Sequence, residues 1–183
     1  GVIKASKALG YGEDKVAHSK GLELPAWDPR TALGMSVCYA TGPTGGDHCK
    51  GWTVSDDVDD GKDRLSIEHK VERAIERQNN SAVLDTLGTC MFADFMYDYD
   101  IWAECIEAYS GIKMSSKKVE KLGEDVFQIE HEINQVLGLK PEDDVLPERI
   151  IGYEVEVDRE KFKLTQEMFD EMKDEYYKGR GWK

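Results

Sequence analysis

Apolar positions along the chain fall into helical spacing far more often than into strict alternation. Residues 31–41 are apolar almost all round and predict a buried helix, stopped by Gly42-Pro43-Thr44-Gly45-Gly46. Before it, residues 1–9 read as the tail of a helix that Gly10 and Gly12 end. Residues 23–30 read as extended or turned, because Pro25 and Pro29 restrict their predecessors. Ile67, Val71, Ala74 and Ile75 predict a helix over 67–77, with Lys70, Glu72, Arg73, Glu76 and Arg77 on its outer face. Val83, Leu84, Leu87, Met91, Phe92 and Phe95 extend helical spacing from Ser81 to Met96. Asp100 is placed to cap a helix over 101–109 that Gly111 ends. Ser115 or Ser116 opens a long helix to about Leu137, with Gly123 in its middle at a cost of about 1 kcal/mol relative to Ala. Tyr153 to Val157 alternates as a short strand would. Thr165 to Tyr177 reads as a last amphipathic helix with Met168, Phe169, Met172 and Tyr176 on one face. The expected class is mainly α, a single helical domain over 1–183 with at most a short strand or hairpin.

Composition narrows the range of partners. The 183 residues suit one ordinary domain. The net charge of −13 argues against nucleic acid and anionic membranes, which need excess Lys and Arg. No apolar run approaches the roughly 20 residues of a membrane span, and residues 1–10 show no signal-peptide pattern. A cytoplasmic location is the expectation. The chain opens at Gly1 inside a helical pattern, which predicts the C-terminal piece of a longer protein.

Cys38, Cys49, Cys90 and Cys105 form no Cys-x-x-Cys pair, so neither a zinc ribbon nor a thioredoxin-type site is indicated. The acidic stretch 55–63 resembles a calcium loop only at a glance. With Gly61 at the sixth place, Val58 and Ile67 fall where the loop needs oxygen ligands. This stretch and the one around Asp143 are expected to be solvated loops.

Two segments carry candidate chemistry. The first, Gly42 to Gly51, lacks the Gly-Lys-Ser/Thr of a phosphate loop, since Cys49 and Gly51 flank Lys50. Its glycines nonetheless allow close backbone approach, and Asp47, His48, Cys49 and Lys50 follow at once. His48 is a candidate proton carrier. The second is Asp85-Thr86-Leu87-Gly88-Thr89-Cys90. A carboxylate among apolar helical positions needs a partner. The bland alternative makes Asp85 a helix N-cap, Gly88 a packing contact and Cys90 a small core residue. His18, His69 and His131 carry less, because no Glu-x-x-His pairing of a di-iron bundle surrounds them.

These segments, taken in order, resemble one family. Lys20 to Arg30 (KGLELPAWDPR), Tyr39 to His48 (YATGPTGGDH), Asp85 to Cys90 (DTLGTC) and Asp174 to Trp182 (DEYYKGRGW) resemble consecutive motifs of the tungsten-dependent aldehyde:ferredoxin oxidoreductases. The resemblance implies a three-domain cytoplasmic enzyme of which this chain is the last helical domain. It implies a tungsten bis-pterin cofactor, a 4Fe-4S cluster and ferredoxin as electron acceptor, with aldehydes oxidised to carboxylic acids. Homo-oligomers and contacts with the remaining domains of the same chain are further expectations. Carried onto this sequence, Asp85 holds a pterin ring and Cys90 is one cluster ligand. His48 donates or accepts a proton beside the metal, and Lys50 and Thr89 contact the cofactor. Thr89 stands where the family has Leu, and Thr44 and Gly45 replace part of the loop before His48. One cysteine cannot complete a four-thiolate cluster, so the isolated chain is expected to be inactive. The alternatives are the tungsten subunit of a benzoyl-CoA reductase-type enzyme and a non-catalytic helical scaffold.

Overall fold

The computed structural model describes residues 1–59, 64–96 and 98–182. Among these the chain is mainly α. Its helices are α1 (Val2–Ala8), α2 (Leu33–Thr41), α3 (Val54–Asp59), α4 (Lys70–Leu87), α5 (Tyr99–Ser110), α6 (Ser116–Val136) and α7 (Gln166–Arg180). Two short antiparallel pairs complete it: β1 (His18–Ser19) with β2 (Leu22–Glu23), and β3 (Val155–Val157) with β4 (Glu160–Phe162).

Helix α4 is the centre of the fold and packs against α2, α6 and α7. All nine residues of α2 are buried, as its apolar run requires. Leu33, Met35, Val37 and Tyr39 of α2 share one core with Val71 and Ala74 of α4 and Phe169, Met172 and Tyr176 of α7. A second core joins Val83 and Leu84 of α4 to Trp102 and Ala103 of α5 and Val119 of α6.

Gly123 is where α6 crosses α4. A Cβ there would fall on the backbone carbonyl of Asn79 and within 2.9 Å of Val83. The residue that weakens α6 locally thus permits α6 to lie directly against the α4 backbone.

The chain end is clasped onto this bundle. The Tyr176 hydroxyl donates to Gln78 Oε1 at 2.6 Å. Arg180 donates to Asn79 Oδ1 at 2.6 Å and lies 4.2 Å over the Phe127 ring. Trp182 stacks on His131, centroids 3.4 Å apart, and donates to Gln128 Oε1 at 2.6 Å.

Several expectations need correction. The helix expected over 81–96 ends at Leu87; a 3-10 turn over Met91–Phe95 follows. The α5 cap is Asp98, which accepts from the amides of Asp100 and Ile101. Asp59 and the four residues before it are helical, not looped, and the remainder of the acidic stretch, 60–63, lies outside the described residues. Nor are the acidic stretches merely solvated. Asp57 is fully buried, accepting from the Gly34 amide at 3.0 Å and the Thr53 hydroxyl at 2.8 Å, with Lys70 Nζ 3.0 Å away. Asp56 pairs with Arg77 at 2.8 Å. Asp144 is buried beside Lys20 Nζ, 2.7 Å away, and accepts from the Tyr177 hydroxyl at 2.7 Å. Local charge density reads as solvated from sequence alone; long-range partners turn these carboxylates into internal struts.

Candidate cofactor-facing site

The glycine-rich loop starts where α2 stops. Lys20, from the tight β1–β2 turn, donates its ammonium to the carbonyls of Ala40 and, at 3.2 Å, Gly42. It thereby neutralises the helix end that would otherwise leave carbonyls unpaired. Gly45 then passes so close to Ser19 that a Cβ would strike its carbonyl, and its φ of +93° is open only to glycine at low cost. The loop is fixed to the β1–β2 hairpin by this contact.

Asp47 caps the next turn, its Oδ1 accepting from the Cys49 amide at 2.8 Å. His48, Cys49 and Lys50 form a single 3-10 turn, each half-buried. Cys49 Sγ lies 3.8 Å from His48 Nε2. The His48 ring meets Trp52 edge-on at 5.7 Å, and Trp52 meets Trp27 at 4.9 Å, so an aromatic wall backs the imidazole. Burial, reinforced by the Asp47 carboxylate, pushes the Cys49 thiol above its ordinary pKa. Asp47, His48 and Cys49 place an oxygen, a nitrogen and a sulfur within 4.8 Å of one another, a donor set able to hold a metal ion.

Helix α4 supplies the second half. Gly88 takes φ +66° and closes the helix with a paired turn: its amide donates to Asp85 O at 3.1 Å and the Thr89 amide to Leu84 O at 3.0 Å. This geometry explains the spacing of the motif. Asp85 occupies the last helical turn, Gly88 reverses the chain, and Cys90 emerges exposed just beyond. The N-cap reading of Asp85 is therefore replaced, since the residue sits at the opposite end of the helix. Cys90 is not a core residue either. Thr89 donates its hydroxyl to Leu84 O at 3.2 Å, which leaves oxygen lone pairs for any further contact.

Lys50 joins the two halves. Its ammonium lies 2.5 Å from Asp85 Oδ2 and 3.0 Å from Glu130 Oε1 of α6. Burial disfavours the ammonium, but its bonds to Asp85 and Glu130 outweigh that and raise its pKa. Glu130 was not legible as a site residue in sequence. It sits among the charges of an amphipathic helix, and only the α4–α6 crossing brings it to Lys50. His131 beside it faces Trp182 instead, and His18 and His69 lie outside the cluster.

The contact between Lys50 and Asp85 joins the two segments, with His48 in the turn of the first and Thr89 and Cys90 just past the helix end of the second. The family described as "Aldehyde ferredoxin oxidoreductase, domains 2 & 3" matches residues 1–183. The chain belongs to this family. Tungsten-containing aldehyde ferredoxin oxidoreductases are among its relatives. That of Thermococcus kodakarensis is 33% identical over 94% of this chain and 29% of the relative. That of Pyrococcus furiosus is 31% identical over 96% of this chain and 30% of the relative. The chain therefore spans less than a third of the length of these aldehyde ferredoxin oxidoreductases. Among the described residues, no helix is long and apolar enough to cross a membrane.

Proposed function

We propose that this chain forms one wall of the active site of a tungsten-dependent aldehyde oxidoreductase and is inactive without the remainder of that enzyme. The observation that carries the reading is the meeting of two distant motifs: Lys50 and Asp85, 35 residues apart, touch at 2.5 Å, with His48 in the same 3-10 turn as Lys50 and the exposed Cys90 just past the helix that carries Asp85. The donor set fits the groups the family uses. A carboxylate that is half-exposed can accept from the amino and ring N–H groups of a pterin. An exposed cysteine after a tight helix end can serve as one thiolate ligand of a 4Fe-4S cluster. By the family resemblance the other three thiolates come from outside this chain, and Cys38, Cys49 and Cys105 lack the Cys-x-x-Cys-x-x-x-Cys spacing that the resemblance implies for them.

In this reading Asp85 orients the pterin, with Lys50 as the cation that pairs with the carboxylate and positions it. Thr89 offers an acceptor oxygen next to it. His48, held by the Asp47 cap and the Trp52 edge, accepts or donates the proton that accompanies oxidation of an aldehyde hydrate to a carboxylic acid. When bound, the tungsten centre supplies the two-electron step and the cluster a path for single electrons to ferredoxin.

Elemental analysis of the complete protein, purified without oxygen, tests the assignment. Tungsten with iron supports it; absence of both from folded protein leaves a helical scaffold. Cys90→Ala is expected to lower iron content. His48→Ala is expected to lower turnover with both metals retained. Loss of metals in His48→Ala would remove His48 from the proton-transfer role.

A further inference from the structure

Glu130 has a feature that its neighbours lack. Its Oε1 accepts from Lys50 at 3.0 Å, while its Oε2 is buried and has no hydrogen-bond partner among the described residues. The two carboxylates on Lys50 also differ in exposure: the side chain of Asp85 is 48% exposed, those of Glu130 and Lys50 27% and 16%. One ammonium therefore stands between an open carboxylate and a sheltered one that holds an oxygen in reserve.

We propose that Glu130 is a positioning residue that retains Lys50 when Asp85 turns to a ligand. The inference rests on the reading that Asp85 contacts the cofactor. An enclosed ammonium that loses its counter-charge is strongly destabilised. If Asp85 were its sole partner, every hydrogen bond that Asp85 accepted from a pterin would come at the expense of Lys50. With Glu130 present, Lys50 shifts to both Glu130 oxygens, the pair remains neutral, and the exposed Asp85 oxygens are released toward incoming N–H groups. Glu130 touches neither substrate nor cofactor; it acts through Lys50.

The test is a double-mutant cycle in the full-length protein, with the rate of tungsten loss during anaerobic incubation as the readout. Glu130→Ala is expected to accelerate loss about 10- to 100-fold, the usual effect of removing an outer partner of a metal site. Glu130→Gln, which keeps an acceptor but not the charge, is expected to fall between. In a Lys50→Met background, Glu130→Ala is expected to add less than about twofold, the margin for additivity of independent sites. The same acceleration in both backgrounds would overturn the proposal and make Glu130 a brace for α6. Asp85→Asn separates the two readings. If it leaves tungsten retention unchanged, the assignment of Asp85 to the cofactor fails. If it accelerates loss while Glu130→Ala does not, the assignment stands and the role of Glu130 fails.

Discussion

Asp144 is the most exacting place to test whether the acidic segments are structural. Its side chain is 9% exposed and that of Lys20 7%, with 2.7 Å between the charges. Lys20 in turn holds the carbonyls at the end of α2, from which the glycine-rich loop departs toward His48. Asp144→Ala removes the carboxylate paired with that ammonium and also the acceptor of the Tyr177 hydroxyl. Breaking one side of a buried ion pair costs about 3–5 kcal/mol, mostly from the charge left behind. At about 1.4 kcal/mol per factor of ten, opening of the α2 end becomes roughly 100- to 4,000-fold more frequent.

Hydrogen–deuterium exchange of the complete protein, read by mass spectrometry on peptides covering 33–51, measures this opening locally. Asp144→Asn, which keeps hydrogen-bonding atoms, is expected to cost less than Asp144→Ala. The double variant Lys20→Met/Asp144→Leu removes both charges but takes their partners from the Ala40 carbonyl and the Tyr177 hydroxyl, at about 1–3 kcal/mol for each buried group left unsatisfied, so it too is expected to exchange faster than the wild type. Equal exchange in the wild type and Asp144→Ala refutes the account of this pair.

Three further outcomes follow from other parts of the fold. Gly51→Ala places a Cβ 2.8 Å from Gln78 and 2.9 Å from Cys38 Sγ at φ +132°; a loss of about 1–3 kcal/mol with lowered activity is expected, and unchanged exchange over 42–54 contradicts it. Cys38 is fully buried with its thiol pushed well above the ordinary range by burial first and Asp57 second; mass spectrometry after alkylation of native protein is expected to find it unlabelled until denaturant is added, while Cys105 labels at once. Burial lowers the pKa of His131, with the Lys20 and Arg180 charges in the same direction and Asp144 and Glu132 opposing. A depressed histidine contributes stability that is complete above its unfolded value of about 6.5 and is lost as pH falls below it. Exchange over 166–182, corrected for intrinsic rates, is therefore expected to rise as pH drops through that range in the wild type and less so in His131→Phe.

The helices were legible because their apolar faces recur at the helical period. The last helix, expected from Thr165, begins there with Thr165 as its cap, accepting from the Met168 amide at 3.2 Å, and Gly111 ends α5 in the left-handed region at φ +73°. The misread elements share a cause. Met91, Phe92 and Phe95 continue the spacing of α4, but Gly88 reverses the chain first, and Phe92 and Phe95 end up exposed. Periodicity sees which residues are apolar; it does not see a backbone turn that makes their spacing irrelevant. Asp57 and Asp144 fail for the opposite reason, because each is buried by a lysine distant in sequence. In the site, Asp85, Cys90, His48, Lys50 and Thr89 were found through ordered motifs, whereas Glu130 lies in no motif and is reached only through the packing of α6 on α4.

The local rules broken at the site point the same way. A carboxylate at the C-terminal end of a helix opposes its dipole, at a cost of about 0.3–1 kcal/mol, and α4 has no basic residue in its last turn to offset Asp85. The offset comes from Lys50, delivered by a separate loop whose glycines accept backbone geometries that other residues resist. Lys50 in turn carries two carboxylates where charge balance needs one. Each arrangement is unfavourable for a helix bundle judged by itself. Together they leave a half-exposed carboxylate in the last turn of α4, an exposed thiol just past it and an imidazole in the turn of the lysine that pairs with that carboxylate. Such departures from local consistency concentrate where a fold serves something beyond its own stability. In the proposed function, that is the surface that α4 and the glycine-rich loop present to the remainder of the enzyme.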